Sequence, residues 1–132
     1  MNFLNFLKGL LGGGAPRRKH VSTETAEKIR RDWQKIETLR AGKLPSQLRQ
    51  ALITADKTLD NALRDLVEGE KMGERLKNSK PLYEYSVYDN IWKAHKLRNK
   101  VVHETDFEPP HFIVEEAIEQ LRVGLEALGI RV

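Results

Sequence analysis

Apolar residues recur every three or four positions along most of the chain after residue 21, which places them on one face of an α-helix. Serine, proline and glycine, which commonly start or stop helices, interrupt this pattern. The pattern predicts four or five helices. They run from Ser22 or Thr23 to about Ala41, from Pro45 to just before Gly69, over a short segment at 72–77, over a central segment at 87–104, and between Pro110 and Gly129. Such helices with short connections predict an all-α, up-and-down bundle.

Three of these helices have a clear apolar face. The faces consist of Ala26, Ile29, Trp33, Ile36 and Leu39 in the first helix; Leu48, Leu52, Ala55, Leu59, Ala62, Leu63 and Leu66 in the second; and Val114, Ala117, Ile118, Leu121, Leu125 and Leu128 in the last. An amphipathic helix buries such a face against its neighbours, so the three faces predict one shared core.

The central segment divides into three arcs on a helical projection instead of the usual two. An aliphatic arc faces the core and contains Val87, Ile91, Ala94, Leu97 and Val101. A solvated arc contains Asp89, Lys93, Lys96, Lys100 and Glu104, and a third arc between them contains Tyr88, Trp92, His95, Asn99, Val102 and His103. Arg98 falls inside the aliphatic arc, where an arginine must be paired or must line a pocket.

A carboxylate in the second helix is the expected partner of Arg98. Asp56 lies inside the apolar arc of that helix, and Asp60 lies one turn further on at its edge. A buried carboxylate needs a cation, and Arg98 is the only arginine predicted on a core-facing arc. We therefore expect Asp56 to pair with Arg98, with Asp60 at the edge as a candidate additional partner. The alternative is that either aspartate lies at a helix margin in water.

Charge and composition limit the possible chemistry. The net charge of +4 is accounted for by Lys8, Arg17, Arg18 and Lys19, and residues 21–132 balance to zero. The helical part is therefore expected to have no net basic field for nucleic acid. The chain has no cysteine, so no disulfide or thiolate metal site can form, and its four histidines lack the spacing of metal ligands.

Residues 1–20 form a separate segment, and residues 21–132 form the predicted bundle. The segment is an amphipathic basic tail that ends in a Gly-Gly-Gly-Ala-Pro joint, typical of a flexible linker. It is too short to span a bilayer, which needs about 20 apolar residues. Residues 1–19 could instead lie on anionic lipid, or dock on a protein partner, or remain a frayed tail. The expected location is cytoplasmic, with peripheral contact at the inner membrane face as an open alternative.

The run Arg98-Asn99-Lys100-Val101-Val102-His103 fits an Arg-x-x-x-x-His pattern with a polar residue after the arginine. This pattern resembles that of HEPN domains (higher eukaryotes and prokaryotes nucleotide-binding). The likeness covers the chain from about Trp33 to the end. Its details, such as Ala55-Asp56-Lys57, Met72-Gly73-Glu74-Arg75-Leu76-Lys77 and Trp92-x-Ala94-His95-Lys96-x-Arg98-Asn99, are similar to small uncharacterised bacterial HEPN-like proteins. Many of those carry an N-terminal membrane-spanning helix, whereas residues 1–20 here are expected to form only a short amphipathic segment.

The resemblance implies a metal-independent endoribonuclease with no cofactor, built across a homodimer. Arg98 would bind a phosphate, His103 would act as general acid and base, and Asn99 would orient the phosphate or the imidazole. Arg98 and His103 differ by about 140° around the helix, so one chain cannot easily direct both at one phosphate. A symmetric dimer that brings two such helices together solves this problem.

The family also contains non-catalytic dimerisation or binding modules, which is the alternative function. Its toxin–antitoxin members act with a protein antitoxin or a nucleotidyltransferase, so either is a candidate partner besides RNA. In both alternatives the third arc, with Trp92, His95, Asn99 and His103, is predicted to be a homodimer interface or the floor of a cleft beside it. A bundle needs only one apolar face per helix, so Trp92 and Tyr88, which lie outside the aliphatic arc, exceed what a monomer's core requires.

Overall fold

A computed structural model describes residues 19–132 of the chain. These residues form five α-helices and one 3-10 turn: α1 (Thr23–Gly42), α2 (Pro45–Leu66), α3 (Met72–Asn78), the turn Lys80–Leu82, α4 (Tyr85–His103) and α5 (His111–Ala127). No strand occurs in this part of the chain. The predicted all-α bundle is confirmed, and the central helix begins two residues earlier than the pattern suggested. The predicted amphipathic tail lies, up to residue 18, outside the described residues.

The helices begin and end where the sequence provides the necessary chemistry. Ser22 caps α1, because its hydroxyl accepts a hydrogen bond from the Thr25 backbone N–H at 3.2 Å. The Ser22 backbone N–H in turn donates to the Asp65 carboxylate at 2.9 Å. Pro45 occupies the first turn of α2, where its missing N–H costs no hydrogen bond. The hydrogen bond from Ser22 to Asp65 joins the start of α1 to the end of α2.

Helix α2 lies at the centre of the bundle and packs against α1, α4 and α5, while α4 also packs against α5. Every predicted apolar position of α2 is buried, as are five of the six predicted in α5. Trp33 is in the core as predicted, and its indole N–H donates to the buried Thr58 hydroxyl at 3.0 Å. Each apolar face therefore contributes to one continuous core.

Gly124 is the point at which α5 meets two other helices. A Cβ atom added there would lie 2.8 Å from Ile91 Cδ1 of α4 and 3.6 Å from Leu59 Cδ1 of α2. The Gly124 carbonyl also accepts a hydrogen bond from the Tyr83 hydroxyl at 3.1 Å. The absence of a side chain at this position thus lets Ile91 fit closely against the α5 backbone.

None of the helices in the described part of the chain has both the length and the hydrophobicity needed to cross a bilayer.

Candidate functional site

The three predicted arcs of α4 are present with one exception. Ile91, Ala94 and Val101 of the aliphatic arc are buried, and the lysines of the solvated arc are exposed. In the third arc, Tyr88, Trp92 and Asn99 are half-buried, whereas Val102 and His103 are exposed. The exception is His95, which is only 8% exposed. A buried imidazole requires a partner, and that partner comes from α2.

Asp56 is the partner of His95. Its carboxylate is 2% exposed, and both of its oxygens lie 3.1 Å from His95 Nδ1. The predicted pair with Arg98 is also present, since Arg98 Nε lies 3.6 Å from Asp56 Oδ2. That distance is within range of an ion pair but too long for a hydrogen bond, and Arg98 Nε has no hydrogen-bond partner among the described residues. Asp56 therefore has one hydrogen-bonded partner, His95, and one ionic neighbour, Arg98.

Asp60 does not share Arg98, so that part of the prediction is wrong. Arg75 of α3 binds it with two bonds, from Nε to Oδ1 at 2.6 Å and from a terminal nitrogen to Oδ2 at 3.0 Å. The other terminal nitrogen of Arg75 donates to the Gly69 carbonyl at 2.7 Å. Arg75 is 6% exposed, so Arg98 is not the only arginine directed inward. Helix α3 is too short for its sequence pattern to have assigned Arg75 to a face.

Asn99 closes a ring of polar contacts between α2 and α4. Its amide oxygen accepts a hydrogen bond from an Arg98 terminal nitrogen at 3.0 Å, and its amide nitrogen lies 3.4 Å from His95 Nε2. Together with the two contacts of Asp56, these contacts form a closed ring in the order Asp56, His95, Asn99, Arg98 and back to Asp56. We call these four side chains the polar ring. A closed set of contacts of this kind fixes the orientation of each member.

The electrostatics of the polar ring are dominated by the burial of Asp56. Burial raises the pKa of the Asp56 carboxyl above its usual range, while the hydrogen bond from His95 and the positive charge of Arg98 act in the opposite direction. The nearby charge of Asp60 adds a smaller upward effect on the same pKa. His95 and Arg98 therefore compensate part of the cost of burying this carboxylate.

The Arg98 guanidinium reaches the surface from this buried base. Its side chain remains 31% exposed, and within the described part of the chain only one of its five N–H donors makes a hydrogen bond, the one to Asn99. A guanidinium with a fixed orientation and free donors can bind a phosphate or carboxylate through two parallel bonds. Of the three predicted site residues, Arg98 and Asn99 thus lie together.

His103 lies apart from them within one chain. It is the exposed last residue of α4, and no hydrogen bond joins it to the polar ring in the described part of the chain. This separation agrees with the projection that places Arg98 and His103 about 140° apart around the helix. In a single chain, therefore, Arg98 and His103 lie on different sides of α4.

Helix α4 has a basic surface that the overall charge balance conceals. It contains Lys93, Lys96, Arg98 and Lys100 against the single acidic residue Asp89. Lys93 is paired with Asp89 at 3.0 Å, whereas the ammonium group of Lys96 lies 5.9 Å from the centre of the Trp92 ring. Charge summed over residues 21–132 missed this surface because the acidic residues are concentrated in other elements, including four glutamates in α5. The expected absence of a net basic charge therefore holds for residues 21–132 taken together, but not for the surface of α4.

No group of three metal-ligating histidine, aspartate or glutamate side chains occurs among the described residues. Comparisons of the chain with protein-family models, with curated proteins and with solved structures find no match. The HEPN resemblance therefore depends on the motif in α4 and its sequence context.

Proposed function

We propose that this chain is a HEPN-like protein that cleaves RNA without a metal ion, at a site shared by two copies of α4. Arg98 binds the phosphate, Asn99 orients it, and His103 exchanges protons with the reacting groups. The observation that supports this proposal is the Arg98–Asn99 pair, whose 3.0 Å hydrogen bond holds a partly exposed guanidinium above the buried Asp56 carboxylate. Such a pre-oriented fork suits a phosphodiester better than a freely rotating lysine would.

The chemistry requires only groups of these types. A base removes the proton of a ribose 2′-hydroxyl, whose oxygen then attacks the adjacent phosphorus. The bond from phosphorus to the 5′-oxygen breaks, and an acid protonates that oxygen, leaving a 2′,3′-cyclic phosphate and a 5′-hydroxyl. In a symmetric dimer the two copies of His103 supply the base and the acid, and Arg98 neutralises the charge that develops on the phosphate.

The surface of α4 supports RNA as the substrate. Its lysines extend along the exposed side of the helix that carries Arg98, and positive charge of this kind attracts the phosphate backbone of any sequence. Trp92 is half-buried, and the Lys96 ammonium group lies over its ring, 5.9 Å from the ring centre. The lysines of the solvated arc thus place positive charge next to the aromatic surface of the third arc.

The test is RNA cleavage in the presence of a chelator. Purified full-length protein should cut single-stranded RNA with excess EDTA, and His103→Ala should reduce the rate by about a hundredfold or more, the usual contribution of a general acid or base. Arg98→Lys should also lose rate because it keeps the charge but not the fork. His111→Ala is the matched control, since His111 is exposed on α5 outside the proposed site. Cleavage that requires a divalent metal, or that survives His103→Ala, would contradict the mechanism.

The second candidate is a dimerisation or binding module without catalysis. Tyr88 and Trp92 pack edge to face with ring centres 6.4 Å apart and remain half-buried, and Val102, further along the same arc, is 43% exposed. Partly exposed apolar side chains of this kind suit a partner helix as well as an RNA base. Both candidates require the same dimer, so only the cleavage assay separates them.

A further inference from the structure

The hydrogen bonds of the polar ring have one consistent direction when His95 is neutral. An ionised carboxylate can only accept, so the contact with Asp56 places the imidazole proton on Nδ1. Nε2 then has a lone pair and accepts a hydrogen bond from the Asn99 amide nitrogen at 3.4 Å. This arrangement turns the Asn99 amide oxygen toward Arg98, where it accepts the 3.0 Å bond. The tautomer of His95 thus determines which side of the Asn99 amide faces the arginine.

A second proton on His95 is incompatible with this arrangement. Both imidazole nitrogens then carry hydrogen, so Nε2–H would face the N–H groups of Asn99. The amide would have to rotate by half a turn to present its oxygen to His95. Its nitrogen would then face the Arg98 guanidinium, which has only donors. The ring therefore cannot remain closed when His95 is doubly protonated.

We infer that His95 is a positioning residue for Arg98: its neutral Nδ1–H form holds the Asn99 amide that orients the guanidinium, and its protonation opens the polar ring and weakens phosphate binding. The inference rests on the proposed role of Arg98 as a phosphate ligand. His95 acts through Asn99, and its Nε2 atom is occupied by that residue.

The charges around His95 favour the same direction of effect. Helix α2 contributes Asp56 in direct contact, and Asp60 further along is neutralised by Arg75 from α3. Helix α4 contributes Arg98, which uses the same Asp56 carboxylate. A charged His95 would therefore add a second cation beside the carboxylate that balances Arg98, so the guanidinium would lose both its amide acceptor and part of its ionic partner.

The tautomer can be measured directly in the full chain. Long-range proton–nitrogen NMR correlations distinguish Nδ1–H from Nε2–H imidazoles, and His95→Gln identifies which of the four histidine signals belongs to His95. We expect the Nδ1–H form near pH 8, whereas the exposed His111 should show no such constraint. An Nε2–H form of His95 at that pH would overturn the inference, whether or not the protein binds nucleic acid.

The consequence for binding is tested with a single-stranded DNA oligonucleotide, which carries phosphodiesters but lacks the 2′-hydroxyl that the proposed reaction uses. The dissociation constant is measured by fluorescence anisotropy at about pH 8 and about pH 5.5, which bracket the ordinary titration of histidine. The parent protein contains other titrating groups, so each variant is compared with itself as the ratio of the two constants. Glutamine at position 95 retains one donor and one acceptor but does not titrate.

Protonation of His95 should make the ratio of the dissociation constant at the lower pH to that at the higher pH about fivefold larger in the parent than in His95→Gln, the lower end of typical site-to-site coupling. His111→Gln should behave like the parent. Equal ratios in the parent and His95→Gln, or a smaller ratio in the parent, would overturn the inference. Binding that is absent from the parent, or unchanged in Arg98→Ala, would instead overturn the proposed function, and the tautomer measurement would still decide the state of His95.

Discussion

Double-mutant cycles centred on Asp56 should show that His95, and not Arg98, is its main energetic partner. Removing His95 takes away the only hydrogen-bonded partner that residues 19–132 provide for the Asp56 carboxylate; Asp56 is 2% exposed, so the loss should cost about 1.5–3 kcal/mol. Arg98 lies 3.6 Å from Asp56 without a hydrogen bond to that carboxylate and is 31% exposed, so Arg98→Ala should cost only about 1 kcal/mol. An orphaned buried charge would cost about 3–5 kcal/mol, but Asp56 keeps His95 in this variant.

The assay is urea unfolding followed by circular dichroism at neutral pH. Free energies of unfolding are measured for Asp56→Ala, His95→Ala, Arg98→Ala and the two double variants that contain Asp56→Ala. The coupling energy of each pair is the departure of the double variant from additivity. An Asp56–Arg98 coupling energy as large as that of Asp56–His95 would refute the reasoning, because it would mean that the ionic contact outweighs the hydrogen bonds. Constant m-values serve as the control that the denatured state is unchanged.

Three further predictions concern stability and assembly. Arg75→Ala should lower the free energy of unfolding, measured in urea, by about 3–5 kcal/mol because Asp60 loses a bidentate buried partner. The control is Arg64→Ala. Arg64 is exposed and lies 3.4 Å from the same carboxylate, so its removal should lower the free energy of unfolding by less than about 1 kcal/mol. Because the pKa of Asp56 is raised in the folded protein, the stability that Asp56 contributes is fully present below the ordinary aspartate pKa of about 3.9 and is lost as pH rises through the pKa of the folded state. Asp56→Asn should remove this part of the pH dependence of the free energy of unfolding. An unchanged pH profile in this variant would contradict the prediction. Sedimentation at micromolar concentration should show a dimer that Trp92→Ala weakens, and a strict monomer in both forms would exclude the shared site.

The sequence predicted the faces of the helices well because each apolar position needs only a periodicity, not a partner. Trp33 and the stripe of α2 are buried as expected, and Asp56 was recognised because a charge inside an apolar arc violates that periodicity. The identity of its partner was less accessible. A helical projection gives the direction in which Arg98 and His95 leave the axis of α4. It does not show which residue of α2 each side chain contacts.

Arg75 and His95 illustrate what such a projection omits. Arg75 lies on a seven-residue helix, too short to define an apolar face, so its burial against Asp60 had no signal in the pattern. His95 was assigned to the third arc by its angle on the helical projection, which does not show that α2 covers this side chain. Its position three residues before Arg98 was visible, but only the placement of α2 shows that one carboxylate serves both side chains.

The close fit of Ile91 against Gly124 restricts the rotation of α4 about its own axis. Ile91 is seated against the α5 backbone there, so α4 cannot turn about its own axis without withdrawing that side chain. The packing within a single chain therefore sets the directions in which Arg98 and His103 project from the bundle. Assembly of the proposed shared site would then be the docking of two rigid surfaces, and its catalytic alignment would depend on the tilt between subunits rather than on adjustment of the helices themselves.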